Sequence, residues 1–192
     1  MAIDTGRIEA AVAEILAAIG EDVNRPGLQA TPQRVAAAYA EFFSGLAVDP
    51  LDHLADAVDL SADEFGEVVI VRDIEFRSIC EHHLLPFIGK AHVAYVPGAK
   101  VVGLGSLARV VETLADRPQL QERLGEEIAG AIETALAPLG VLVVLDAVHQ
   151  CVTTRGPRQS ASSTITLASR GTLSDTSSRA EIISLIGGGT GG

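Results

Sequence analysis

The chain has 192 residues, of which 47% are hydrophobic and 20% charged, and this suits one compact globular domain with a buried core. Its formal net charge of -11 argues against a nucleic acid or an acidic membrane surface as a general partner. The N-terminus lacks the basic start and apolar core of a signal peptide, and no apolar run is long enough to span a membrane, so we expect a cytoplasmic protein.

Two helices are predicted in an N-terminal helical region, which we assign to residues 1–66. Apolar residues recur at the helical period over 5–19, and Gly20 ends that segment. The second helix is expected to begin at Thr31, which can cap it and which precedes a proline suited to the first helical position.

Residues 67–186 form the predicted main domain, and residues 187–192 a flexible tail. Strands are expected from about Glu67, over 89–96, over 141–152 and over 163–169, with a helix pair between the second and third. Ser178 and Glu181 have the spacing of a capping box, which predicts a short C-terminal helix. Strand pairs on either side of a helix pair indicate an α+β fold: an antiparallel four-stranded sheet with two helices on one face.

The candidate chemistry lies in two short clusters that contain both cysteines of the chain. Cys80, His82 and His83 occur together in CEHH at the end of the first main strand, and His149 and Cys151 occur in HQC. Zinc takes thiolate and imidazole ligands, and a catalytic zinc site has three protein ligands and one open position. Cys80, His83 and Cys151 would form such a set, which leaves His82 and His149 for proton transfer.

Other interpretations of these residues remain open. The two cysteines could be ordinary buried residues, a common fate for free cysteine. A disulfide is disfavoured in a cytoplasmic chain. Iron also accepts thiolate and imidazole ligands, so the donor set alone does not select zinc. Arg155 and Arg158, just after Cys151, and Arg109, near the start of a helix, could hold phosphate, although a solvated loop competes for the first two.

Several longer motifs resemble the GTP cyclohydrolase I family over roughly Thr31 to Thr166. They are TPQRVA, SICEHHLLPF, GKAHVAYVP, VVGL followed by a helix with an arginine, RPQLQERL and HQCVTTRG. The resemblance implies a tunnelling fold, in which subunits pool their sheets into a barrel. It also implies decamers with active sites at subunit interfaces, and conversion of GTP and water to 7,8-dihydroneopterin triphosphate and formate.

The resemblance also implies roles for individual residues. Cys80, His83 and Cys151 match the zinc ligands, and His82 and His149 match the catalytic histidines. The substrate-binding positions are Glu122 with Gln121 beside it at the guanine edge, and Arg109 and Arg155 at the triphosphate. Sequence physics alone would not single out Glu122.

One turn departs from the family pattern. The family usually has a serine and then a lysine near the triphosphate, where this chain has Gly105 and Ser106. Two alternatives to a GTP cyclohydrolase I therefore stay open. One is a paralogue with the same ring-opening chemistry on a different or less phosphorylated purine nucleoside. The other is a non-catalytic member that serves assembly. The complete set of six candidate residues argues against it: Cys80, His82, His83, Glu122, His149 and Cys151. The pathway that uses the product, folate or another pterin or deazapurine route, stays open too.

Overall fold

The computed structural model describes residues 2–61 and 66–187. Most of the predicted tail therefore lies outside the described residues. The helices are α1 (Thr5–Ala18), α2 (Thr31–Phe42), α3 (Leu104–Ala115), α4 (Gln121–Leu136), α5 (Gln150–Thr153) and α6 (Thr176–Gly187). The strands are β1 (Val58–Asp59), β2 (Val69–Cys80), β3 (Pro86–Val96), β4 (Lys100–Val101), β5 (Pro118–Gln119), β6 (Gly140–His149) and β7 (Thr164–Gly171).

The main sheet has the strand order β5-β2-β3-β6-β7. The four long strands pair antiparallel, as predicted, while the two-residue β5 adds a short parallel partner to the end of β2. The contact between β3 and β6 is tight at Gly89, where a Cβ would lie 2.1 Å from the carbonyl oxygen of Asp146. A side chain at this position would therefore force the two strands apart.

The core lies between one face of the sheet and the helices α3 and α4. Both helices have the apolar period expected from the sequence, and their buried residues include Leu107, Val110, Leu124, Ile128 and Ile132. Alternate residues of the strands meet them, because successive side chains of a strand point to opposite faces. The structure thus confirms the predicted α+β class with two helices on one face of the sheet.

The N-terminal helices stand apart from this core. No residue of α1 is buried, and α2 buries only Ala36. The two helices pack mainly on each other, and the ion pair between Arg77 and Glu41, 3.0 Å long, links α2 to β2. The division of the chain at residue 66 stays a prediction. Of the helices described, none is long and apolar enough to cross a membrane.

Two sequence predictions need correction. The third long strand ends at His149, and residues 150–153 form a helical turn instead of continuing it. Its partner β3 begins at Pro86, which has no N–H with which to extend the ladder past the Phe87–His149 pair. The C-terminal helix begins earlier than Ser178, because the Asp175 carboxylate accepts hydrogen bonds from the backbone N–H groups of Ser177 and Ser178.

Candidate active site

The end of β2 presents Cys80 next to a tight, exposed turn. The backbone N–H of Cys80 donates to the carbonyl of Leu85, and the N–H of Leu84 donates to the carbonyl of Cys80, both at 2.9 Å. Leu84 has a φ of 52°, the left-handed conformation that closes such a turn. Cys80 is only 4% exposed, whereas His82 and His83 lie on the exposed turn.

The end of β6 brings the second cluster to the same place. His149 is the last residue of the strand, and α5 turns Cys151 back toward Cys80. The ligand atoms of Cys80, His149 and Cys151 all lie within 4.8 Å of one another. The strand predicted over 141–152 would place His149 and Cys151 on one face, because residues two apart in a strand point the same way. The strand ends at His149 instead, and α5 brings the two residues together.

His83 does not join this group in the structure. Its Nε2 lies 3.2 Å from a guanidinium nitrogen of Arg155. Arginine can only donate, so Nε2 of His83 acts as the acceptor of this contact. Two of the three predicted metal ligands thus meet, and the imidazole nearest to them belongs to His149.

The electrostatics of the two thiols favour a cation between them. Burial, and then the neighbouring Cys80, raises the pKa of the Cys151 thiol. Two thiolates side by side repel each other, and a divalent cation would offset that cost. Two sulfurs and an imidazole form a donor set that zinc prefers and that iron also accepts. The group can therefore hold a thiophilic metal ion.

The ring of His149 is held on two sides. It stacks on Phe87, with the ring centroids 4.7 Å apart and the planes inclined by 1°. Its Nε2 lies 2.6 Å from Oε1 of Gln121. Burial lowers the pKa of His149, and the negative charge of Glu122 opposes this shift. The imidazole is thus biased toward its neutral form, which can accept a proton.

The first turn of α4 completes this side of the cluster. Gln121 is buried, whereas Glu122 and Arg123 are exposed. The backbone N–H of Glu81 donates to the carbonyl of Gln119, just before α4, at 3.1 Å. Glu122 is exposed, and it lies close enough to His149 for its charge to affect the pKa of the imidazole.

Two residues that sequence reasoning did not select contribute to the site. Phe87 looks like an ordinary strand residue in the sequence, and only the pairing of β3 with β6 places it against His149. Arg123 looks like one more surface charge of α4, and its partner Glu81 is 42 residues away. The one signal in the sequence was Glu81, the acidic residue inside CEHH, which calls for a basic partner such as Arg123.

The predicted phosphate-binding residues fall into two places. Arg155 lies beside His83, and it is close enough to Cys151 for its positive charge to affect the pKa of that thiol. Arg109, on α3, donates instead to the hydroxyl of Ser106 at 2.9 Å, and Ser106 is only 2% exposed. A Cβ at Gly105 would have no neighbour within 4 Å among the described residues.

Comparison with known proteins gives one consistent result. The family model described as GTP cyclohydrolase I matches residues 8–187. A protein of Leifsonia xyli subsp. xyli named GTP cyclohydrolase 1 is 61% identical over 186 residues, covering 97% of each chain. Proteins with the same name from Rhodopirellula baltica and Bacillus subtilis are 55% and 52% identical, covering 96% and 94% of this chain and 80% and 95% of theirs.

Proposed function

The chain belongs to the GTP cyclohydrolase I family, and we propose that it opens the imidazole ring of GTP at C8. The products would be 7,8-dihydroneopterin 3'-triphosphate and formate. The observation that carries this proposal is the convergence of Cys80, Cys151 and a neutral-biased imidazole next to Glu122. The tunnelling fold of the family agrees with the antiparallel sheet and its two helices.

The metal would be zinc, held by the thiolates of Cys80 and Cys151 and by the imidazole of His83. His83 is the third ligand that the family resemblance implies, and it follows Cys80 by three residues in the sequence, on the turn 81–84. His149 lies nearer to the thiols and is the competing third ligand. When bound, zinc supplies Lewis acidity that makes water a stronger nucleophile at neutral pH.

Two histidines would move the protons of the reaction. His149, whose pKa is lowered by burial, can exchange a proton with the purine ring nitrogen beside C8. Protonation there keeps the electrons of the breaking bond from accumulating as a free anion. His82, on the exposed turn, is free to serve as the second proton-transfer group.

Guanine would be recognised by Glu122. A carboxylate accepts two hydrogen bonds, and guanine offers N1–H and the 2-amino group side by side. Adenine lacks this donor pair, so binding it would desolvate the carboxylate without replacing its partners. The exposure of Glu122 leaves both oxygens accessible to a base.

The triphosphate would be held by Arg155 and by Arg109, with Ser106 as support. Arg155 lies on the thiol side of the site, whereas the hydrogen bond of Arg109 is to Ser106 on α3. We infer that a neighbouring subunit supplies Arg109 to each site. This agrees with a homo-oligomer, near ten subunits as the family resemblance implies.

A second candidate function has one observation in its favour. The family's usual lysine is absent, and the residue in its place, Ser106, is buried and uncharged. A paralogue that opens the same ring in a less phosphorylated guanine nucleoside would need less positive charge at this turn. The non-catalytic alternative has no such support. We place the enzyme in the cytoplasm, in folate or related pterin synthesis.

A substrate series tests the proposal. The purified, zinc-loaded protein is incubated with GTP, GDP, GMP, guanosine and ATP, and formate and the fluorescent oxidised pterin are both measured. The proposal expects equal amounts of both products with GTP and none with ATP. Greater turnover of guanosine or GMP than of GTP would select the paralogue, and no product from any guanine compound would reject both.

A further inference from the structure

The amide of Gln121 is fully engaged inside the protein. Its side chain is 2% exposed. Its Nε2 lies 2.8 Å from the carbonyl oxygen of Thr164 and 3.1 Å from that of Leu145, with the hydroxyl of Thr166 at 3.2 Å. Its Oε1 lies 2.6 Å from Nε2 of His149. The side chain therefore has no hydrogen left to donate to a substrate.

These partners fix which way the amide points. A backbone carbonyl only accepts hydrogen bonds, and two carbonyls face the Nε2 side. A flipped amide would place Oε1 against those two oxygens and leave all three groups without a donor. The amide nitrogen of Gln121 therefore faces β6 and β7, and Oε1 faces His149.

The fixed amide then determines where His149 carries its proton. Oε1 of Gln121 can only accept, so Nε2 of His149 must be the donor. In the neutral imidazole this places the single ring proton on Nε2 and the lone pair on Nδ1. The parallel stack on Phe87 fixes the ring plane, so the hydrogen bond is left to fix the rotation within that plane.

We propose that Gln121 is a positioning residue for His149. It holds the imidazole in the Nε2–H tautomer, so that Nδ1 is the ring nitrogen that does not contact the amide. The tethers to Leu145 and to Thr164 keep the amide in register with the end of β6. The inference rests on the proposed function and gives the Gln121 side chain a role other than contact with guanine.

Nuclear magnetic resonance of the zinc-loaded, full-length protein tests the tautomer directly. Histidine is labelled with nitrogen-15, and two-bond correlations report which ring nitrogen carries the proton. The signal of His149 is assigned by its loss in His149→Ala. We expect the proton on Nε2 in the unaltered protein. A proton on Nδ1 of His149 would overturn the inference.

A pair of variants tests the role of the amide. Gln121→Met keeps the length of the side chain but removes the acceptor, and it should give mixed tautomers. Its kcat should fall about tenfold to hundredfold, as for loss of a partner that orients a histidine, with little change in KM for GTP. Thr166→Val removes only the longest of the three contacts of Nε2, the one to the hydroxyl of Thr166, and serves as the control.

The outcomes separate this inference from the proposed function. A rise in KM for Gln121→Met with unchanged kcat would make Gln121 a substrate contact and overturn the inference. Normal turnover of GTP with His149 protonated on Nδ1 would do the same. If the protein does not turn over GTP while the Nε2–H tautomer is present and is lost in Gln121→Met, the positioning role stands and the proposed function fails. Should Gln121→Met fail to fold, the tautomer of His149 in the unaltered protein still decides the question.

Discussion

Glu81 and Arg123 form a two-pronged ion pair that joins the CEHH turn to the first turn of α4. The two nitrogen–oxygen distances are 2.5 and 3.1 Å. Glu81 lies between Cys80 and His82, and Arg123 follows Glu122. The paired charges lower the pKa of Glu81 and raise that of Arg123, with their mutual hydrogen bond as the first cause. The pair thus ties the candidate metal ligands to the candidate guanine-binding residue.

We expect disruption of this pair to affect turnover more than folding. Both side chains are exposed, and an exposed pair contributes little to global stability. A bidentate contact does, however, fix the geometry of the two segments that it joins. Glu81→Arg and Arg123→Glu should each lower kcat, whereas the double exchange should recover part of it at an unchanged melting temperature. The pair Arg25→Glu and Glu21→Arg, on a distant exposed ion pair, is the matched control.

The absence of any recovery in the double exchange would contradict this coupling. Equal effects in the control pair would show that the loss reflects charge change in general and not the geometry of the site.

The thiolates should account for most of the metal affinity. Cys151→Ser should lose most of the bound zinc, measured by elemental analysis of reduced protein, because a three-ligand site depends strongly on each thiolate. His82→Ala should keep the metal and lose turnover by about 100-fold or more, the size of a lost acid or base. Absence of metal from the unaltered protein would contradict the assignment.

The third metal ligand is decided by the same measurement on two further variants. If His83 is the ligand, His83→Ala loses metal and His149→Ala keeps it while losing turnover. The reverse result would mean that the arrangement of His149 beside the thiols persists in the loaded enzyme and that His83 belongs to proton transfer or phosphate binding.

Mixed oligomers test whether neighbouring subunits share a site. Arg109→Ala and His149→Ala should each be inactive alone. If each site takes these residues from different chains, random equimolar assembly of the two variants restores both residues in about a quarter of the sites of a symmetric oligomer. Recovered activity in co-assembled protein, compared with a mixture of the separately assembled variants, checks this. A fully active monomer in light scattering would contradict it.

The altered turn should weaken the hold on the triphosphate. Restoring the usual residues with Gly105→Ser and Ser106→Lys adds one charge-assisted contact, worth roughly 1.5–3 kcal/mol, which corresponds to about a tenfold to hundredfold lower KM for GTP. Position 105 has space for the serine, whereas the lysine must extend outward from a buried position. KM for guanosine should stay nearly unchanged. Equal KM values for GTP before and after the change would show that another basic residue already fills the role.

The sequence predicted those parts of the fold that depend on local periodicity. The apolar stripes of α3 and α4 and the alternation in β2 and β3 each follow from one segment, and the structure has them close to the expected bounds. The meeting of Cys80 and Cys151 was predicted as well, from two clusters of metal-ligand residue types near the ends of strands, although Cys151 itself lies in α5, just beyond β6. These signals need no knowledge of distant contacts.

The parts that the sequence did not predict depend on pairing between distant segments. The end of β6 at His149 is set by the start of β3 at Pro86, roughly 60 residues earlier in the chain. The cap of α6 is Asp175, whereas the capping-box spacing of Ser178 and Glu181 had indicated a later start of the helix. The bond from Gln121 to His149 spans 28 residues and requires both α4 and β6 to be in place. No local pattern contains that information.

Ring opening can be followed directly with GTP that carries carbon-13 at C8. The zinc-loaded protein is incubated with this substrate, and the label is followed by carbon-13 nuclear magnetic resonance. We expect the label to leave the nucleotide as formate, in step with the appearance of a pterin triphosphate. Retention of the label in an intact purine, with loss of phosphate alone or with no reaction, would contradict it.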